Sequence, residues 1–128
     1  MKVTFLFSLL LFAACWNGQT SSAPQIAAGP SIDIWYGLTQ SFGQQGTPQK
    51  WVNILGNVQS ESGLSSLIAI LNQKDTFRLT TGEDGRRLAR VGDFNVDIDR
   101  QWLQVGKNIL HIQATDSLQH TAQVPVEI

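Results

Sequence analysis

The chain has 128 residues, 42% of them hydrophobic and 15% charged, which is enough for one ordinary domain and too little for two. A formal net charge of −1, with no basic run longer than Arg86–Arg87, excludes the electrostatic footprint of a nucleic-acid binder. The single cysteine, Cys15, has no partner within the chain, so the folded part must be held by core packing rather than by a disulfide.

The first segment, MKVTFLFSLLLFAAC, places one cation, Lys2, before an apolar run from Val3 to Ala14. This is the form of a secretory signal peptide. The run is shorter than the roughly 20 residues a membrane-spanning helix needs. Ala13 and Ala14 precede Cys15, and the segment resembles the bacterial lipoprotein signal, the lipobox, with Phe12 where Leu is usual. The resemblance implies that residues 1–14 are removed and that Cys15 is lipidated. Trp16 stands where an Asp would signal inner-membrane retention, so an outer-membrane or cell-surface lipoprotein is expected. Ordinary cleavage, near Ala14 or after Ser21-Ser22-Ala23, is the alternative and gives a secreted or periplasmic protein. Residues 15–30, rich in small and polar side chains with two prolines, read as a flexible tether.

From Ser31 the pattern changes to short apolar alternations separated by turn residues. Ile32, Ile34 and Tyr36 share one face of a first strand. The stretch WYGLTQSFGQQGTPQKW then forms a long link, with Gly37, Gly43 and Gly46 suited to turns and Tyr36, Phe42 and Trp51 pinned inward. A second strand runs from Trp51 to Val58, ended by Gly56-Asn57, and a third covers Leu64 to Leu71. A helix competes for the third, because Leu64, Leu67, Ile68 and Leu71 also fit helical spacing; Gly63 and the neighbouring serines favour the strand. Further strands follow at Thr76–Thr80, around Phe94, Val96 and Ile98, around Leu110, Ile112 and Ala114, and from Ala122 to Ile128. About seven short strands over residues 31–128 predict an all-β, immunoglobulin-like Greek-key β-sandwich without the Cys–Trp–Cys framework of antibody domains.

Near the C-terminus, Leu103 is placed to plug the end of the sandwich, Gly106 to make a turn, and Asp116 to end a strand by bonding its own backbone. This part, FNVDIDRQWLQVGKNILHIQATD, resembles the ending of extracellular immunoglobulin-like and cadherin-like modules. With IWYGLTQSFGQQGTPQKWVNILGNV and R-R-L…G-D-F-N added, residues 32–128 are similar to the N-terminal β-sandwich module of uncharacterised bacterial secreted proteins. There it usually precedes a laminin-G or concanavalin-like domain, so the resemblance implies an accessory extracellular module.

The sequence offers residues for three kinds of site. His111 and His120 are the only histidines and carry no mark of a catalytic base, so no enzymatic activity and no cofactor are expected. Asp97 and Asp99 share a strand face, and with Asp93 and Asp116 they raise Ca²⁺; solubilising an edge strand is the simpler reading. Trp35, Trp51 and Trp102, with Gln44, Gln45 and Gln49, suit a sugar, whose faces stack on rings while amides bond its hydroxyls. The expectation is a monomeric interaction or spacer module whose partner is a surface protein or a polysaccharide, with carbohydrate binding as the alternative. Within the long link, Trp35 and the tip from Gly43 to Gln49 are left open to a ligand.

Overall fold

The computed structural model describes residues 28–43 and 46–128. Cys15, the signal segment and most of the tether lie outside the described residues, as do Gln44 and Gln45. Seven strands follow in order: β1 (Ser31–Ile34), β2 (Trp51–Gln59), β3 (Leu64–Leu71), β4 (Asp75–Arg78), β5 (Asp93–Asp99), β6 (Ile109–Asp116) and β7 (Thr121–Glu127). They form two antiparallel sheets, β1-β2-β5 and β4-β3-β6-β7. The chain is therefore an all-β sandwich of immunoglobulin-like type. The fourth strand lies in the second sheet, whereas constant-type immunoglobulin domains carry it in the first.

Alternation explains the strands. Along β2, Val52, Ile54 and Val58 point inward while Asn53, Leu55 and Asn57 are only partly covered. On β5, Phe94, Val96 and Ile98 face the core between Asn95, Asp97 and Asp99. The opposite sheet supplies Leu67, Ala69 and Leu71 from β3, and Leu110, Ile112 and Ala114 from β6. Each large side chain buried there contributes about 1.5–3 kcal/mol. The helical alternative for residues 64–71 fails because β3 is an interior strand, paired with both β4 and β6.

Gly56, expected to end the second strand, lies inside it. It pairs with Ile34 on one side and Phe94 on the other, and a methyl group there would run into the Asp33 carbonyl and the Phe94 ring. Only a residue without a side chain lets β1 approach this closely and lets the Phe94 ring lie over the sheet, so β2 continues to Gln59.

The sandwich has two distinct poles. At one, β1 begins opposite the end of β2, with Ser31 paired to Gln59. Pro30 is already buried there, and Gly29 lies near the His120 side chain. At the other, β2 begins and β5 ends, with Trp51 paired to Asp99. The nine residues of β2 separate the poles by about 27 Å.

Gly56→Ala is expected to lower the stability by about 1–3 kcal/mol, the cost of overpacking a filled core, measured by urea denaturation. An unchanged denaturation midpoint would show that the close approach of β1 is not what requires glycine.

Candidate functional site

The link between β1 and β2 changes sheets. After Trp35, whose N–H still donates to the Leu55 carbonyl, the chain turns through Tyr36 and Gly37, both with positive φ (67° and 88°). The Gln40 amide holds the turn by donating to the carbonyls of Trp35 and Gly37. Leu38 and Gln40 then bond Glu127 at the end of β7, and Thr39 bridges to it in parallel. The link ends at the pole where β2 begins with Trp51.

This path corrects the expected placement of the aromatics. Tyr36 does not continue the face of Ile32 and Ile34; it sits in the turn and is 82% exposed. Val52 takes the inward position at the start of β2, which leaves Trp51 43% exposed, and Phe42 is 44% exposed. Phe42 and Trp51 are thus not core anchors but walls of a groove.

The groove has a volume of about 760 Å³ and lies between the link and the β5–β6 connection, within the ~300–1,000 Å³ range of small-molecule sites. Phe42, Pro48 and Trp51 give it an aromatic and apolar wall; Ser41, Thr47 and Gln49 add hydroxyls and an amide from the same link. The facing wall comes from Arg100, Leu103, Gln104 and Val105. Leu103 packs on the core as expected from its place in the sequence, and Gly106, with φ of 94°, makes the turn beside it.

Asn108 fixes that facing wall. Its side chain is 2% exposed, and its amide donates to the carbonyls of Gln104 (2.9 Å) and Gly106 (3.2 Å). Its carbonyl oxygen accepts from the Gln104 N–H and from the Asn72 amide. All four hydrogen-bonding capacities of the buried amide are used. No signal short of the folded contacts marked Asn108 for this part, although it lies in the G-K-N motif that carried the resemblance.

The sugar-site residues do not all converge. Gln49 and Trp51 line the groove. Trp35 is half-buried in the continuation of β1. Trp102, 48% exposed, stacks on Phe77 of β4 at 5.3 Å between ring centroids and 16° between planes, where it bridges the edges of the two sheets.

The aspartates do not converge either. Asp97 accepts from the amides of Asn53 and Asn95 and lies 3.5 Å from the Arg87 guanidinium. Asp99 accepts from the Gln101 N–H and caps the short 3₁₀ turn Arg100–Trp102. Asp93 is buried and holds Asn57 and the Arg90 N–H. Among the described residues, no group of three or more His, Cys, Asp or Glu is placed to hold a metal ion.

Asp116 is buried at the opposite pole and ties it together. One carboxylate oxygen accepts the N–H groups of Leu118 and His120; the other accepts the Ser62 hydroxyl at 2.8 Å and meets His120 Nδ1 at 2.9 Å. The link to its own turn agrees with the expected strand end, while the reach to Ser62 and the His120 ring was not legible. Asp, His and Ser come together here, but the serine hydroxyl donates to the carboxylate rather than to the imidazole. The set thus lacks the hydroxyl–imidazole bond of a nucleophilic triad. Burial pushes the Asp116 carboxyl up, yet the His120 N–H, the Ser62 hydroxyl and the His120 ring outweigh it and hold the group below its ordinary value of 3.8.

No family model matches the chain, and no curated protein matches it.

Two outcomes follow from these ties. Asn108→Ala removes a fully bonded buried amide and leaves its partners unpaired, so thermal or urea denaturation is expected to show a loss of about 2 kcal/mol or more; a loss near zero would mean that the wall does not depend on it. Because the Asp116 carboxyl is depressed in the folded state, its stabilisation is fully present above pH 3.8 and is lost as pH falls through the lower folded value. Wild type is therefore expected to exceed Asp116→Asn in stability at neutral pH and to lose that advantage below pH 3.8, and an advantage constant from neutral to strongly acidic pH would contradict the assignment.

Proposed function

We propose that the chain is an exported, lipid-anchored interaction module of the bacterial surface, without catalytic activity, which makes its contacts through the groove at the Trp51 pole. The observation that carries this reading is the position of the groove. It lies at the pole away from Pro30, where the chain enters the domain. A domain tethered through Cys15 and residues 16–30 has that pole farther from its anchor, while the cluster around Asp116 ties the turns at the Pro30 pole. The resemblance to accessory sandwich modules of secreted proteins fits the same role.

A second reading, carbohydrate binding, is favoured by the make-up of the groove. Trp51 and Phe42 offer ring faces to the apolar side of a sugar, and Gln49, Ser41 and Thr47 present an amide and hydroxyls at the same rim. The three tryptophans do not form one platform, so the site in this reading is a groove with Trp51 as its ring, and Trp102 belongs to the scaffold.

Calorimetric titration of the soluble domain with a panel of polysaccharides separates the two readings. Carbohydrate binding predicts that Trp51→Ala weakens affinity about thirtyfold or more, the cost of truncating a central aromatic contact. Trp102→Ala is expected to leave affinity unchanged while lowering stability by about 1 kcal/mol through loss of the Phe77 stack. No heat with any polysaccharide leaves the module as a spacer or a protein-contacting unit, and an effect of Trp102→Ala on affinity as large as that of Trp51→Ala would relocate the site.

A further inference from the structure

Lys50 and Arg100 face each other across the end of the β2–β5 ladder. The Arg100 N–H donates to the Lys50 carbonyl at 2.9 Å, one step beyond the Trp51–Asp99 pair. Like charges placed directly opposite each other are unfavourable. Neither side chain has an ion-pair partner among the described residues; the pairs formed are Arg87–Asp97, Lys107–Glu127 and His120–Asp116. Asp99, the nearest carboxylate along the chain, caps the 3₁₀ turn through the Gln101 N–H.

The two cations bracket the groove's ring. The Lys50 ammonium lies over the Trp51 ring, 4.8 Å from its centre, and Trp51 stays 43% exposed. Arg100 is part of the groove wall. No aspartate or glutamate side chain lines the groove among the described residues, and Lys107, on the same connection, is neutralised by Glu127. The groove therefore combines an aromatic face, hydroxyl-binding side chains and the Arg100 guanidinium, which has no side-chain ion-pair partner among the described residues and which a neutral sugar would leave without one.

The geometry points to an acidic saccharide as the ligand: a uronate-containing oligosaccharide whose ring lies on Trp51 and whose carboxylate is taken by Arg100, with Lys50 adding charge behind the ring. The inference rests on the carbohydrate reading of the groove and narrows it. A planar carboxylate matches the guanidinium fork in a paired hydrogen-bond geometry that an ammonium cannot reproduce. The ligand supplies a negative charge to Arg100 and Lys50, so part of its affinity must be electrostatic and must weaken with salt.

The test is calorimetric titration of the domain with oligogalacturonate, oligoglucuronate and oligomannuronate, each beside its methyl ester, which keeps the ring and removes the charge. At least one free acid is expected to bind about tenfold or more tightly than its ester, the worth of a charge-assisted hydrogen bond. Arg100→Gln is expected to abolish that difference, Arg100→Lys to restore part of it, and added salt to reduce it. Acid and ester binding equally, or an Arg100→Gln variant that keeps the difference, overturns the acidic-ligand inference and leaves carbohydrate binding standing. Silence from all acids and esters overturns the acidic-ligand inference, and silence from neutral polysaccharides as well removes the carbohydrate reading. A melting temperature for Arg100→Gln equal to wild type separates lost recognition from lost folding.

Discussion

Everything in this domain depends on the apolar seam between its two sheets. Antibody domains link their second and sixth strands with a disulfide; here β2 and β6 contribute aliphatic side chains, among them Ile54, Leu110 and Ile112, to one buried core. Without a covalent link, close approach within the sheet has to be arranged by side-chain size. Gly56 does this for the first sheet: it lets β1 draw in and gives the Phe94 ring a place to lie. The largest fully buried side chain thus sits over the one strand position that has none.

A sandwich sealed along its seam still has two open ends, and each is closed by a buried polar side chain with every neighbour satisfied. Asn108 closes one and Asp116 the other. Apolar closure cannot do this job, because the backbone groups of the connecting turns would then be left unpaired away from water. The two closures differ in consequence. Asp116 ties the turn after β6 to Ser62, just before β3. Asn108 holds the Gln104–Gly106 turn on one side only, and the opposite side is formed by the link from β1, which has already crossed to β7. The groove is the space between a turn fixed by an amide and a link fixed by its crossing.

The strand pattern was legible because inward positions alternate cleanly along β2, β5 and β6, and the choice of strand over helix at residues 64–71 was legible from Gly63 and the serines. Tertiary approach overrode local signals elsewhere. Gly56-Asn57 looks like a stop, yet Phe94 and Asp33, distant in sequence, require the glycine. Alternation carried past Ile34 puts Tyr36 inward, but the Tyr36-Gly37 turn ends the pattern one residue sooner. Phe42 and Trp51 read as anchors from hydrophobicity alone; the core had no vacancy for them, since Val52 and Leu103 already fill that end. The Ser62 and His120 contacts of Asp116 and the backbone bond from Arg100 to Lys50 were invisible for the same reason: each depends on which turn or strand end lies beside which.

The arrangement of poles also sets how the domain bears load. The β1 strand leaves the Pro30 pole and runs antiparallel to β2, and β2 starts at the groove pole. A pull between Pro30 and Trp51 therefore acts along the strand axes in opposite directions. It shears the ladder from Ser31–Gln59 to Ile34–Gly56, together with the Trp35–Leu55 bond, loading these hydrogen bonds at the same time rather than one after another. The contact that needs Gly56 lies at the Ile34 end of this ladder. The residue that lets the core close is in this way also the one that keeps β1 seated when the two poles are drawn apart.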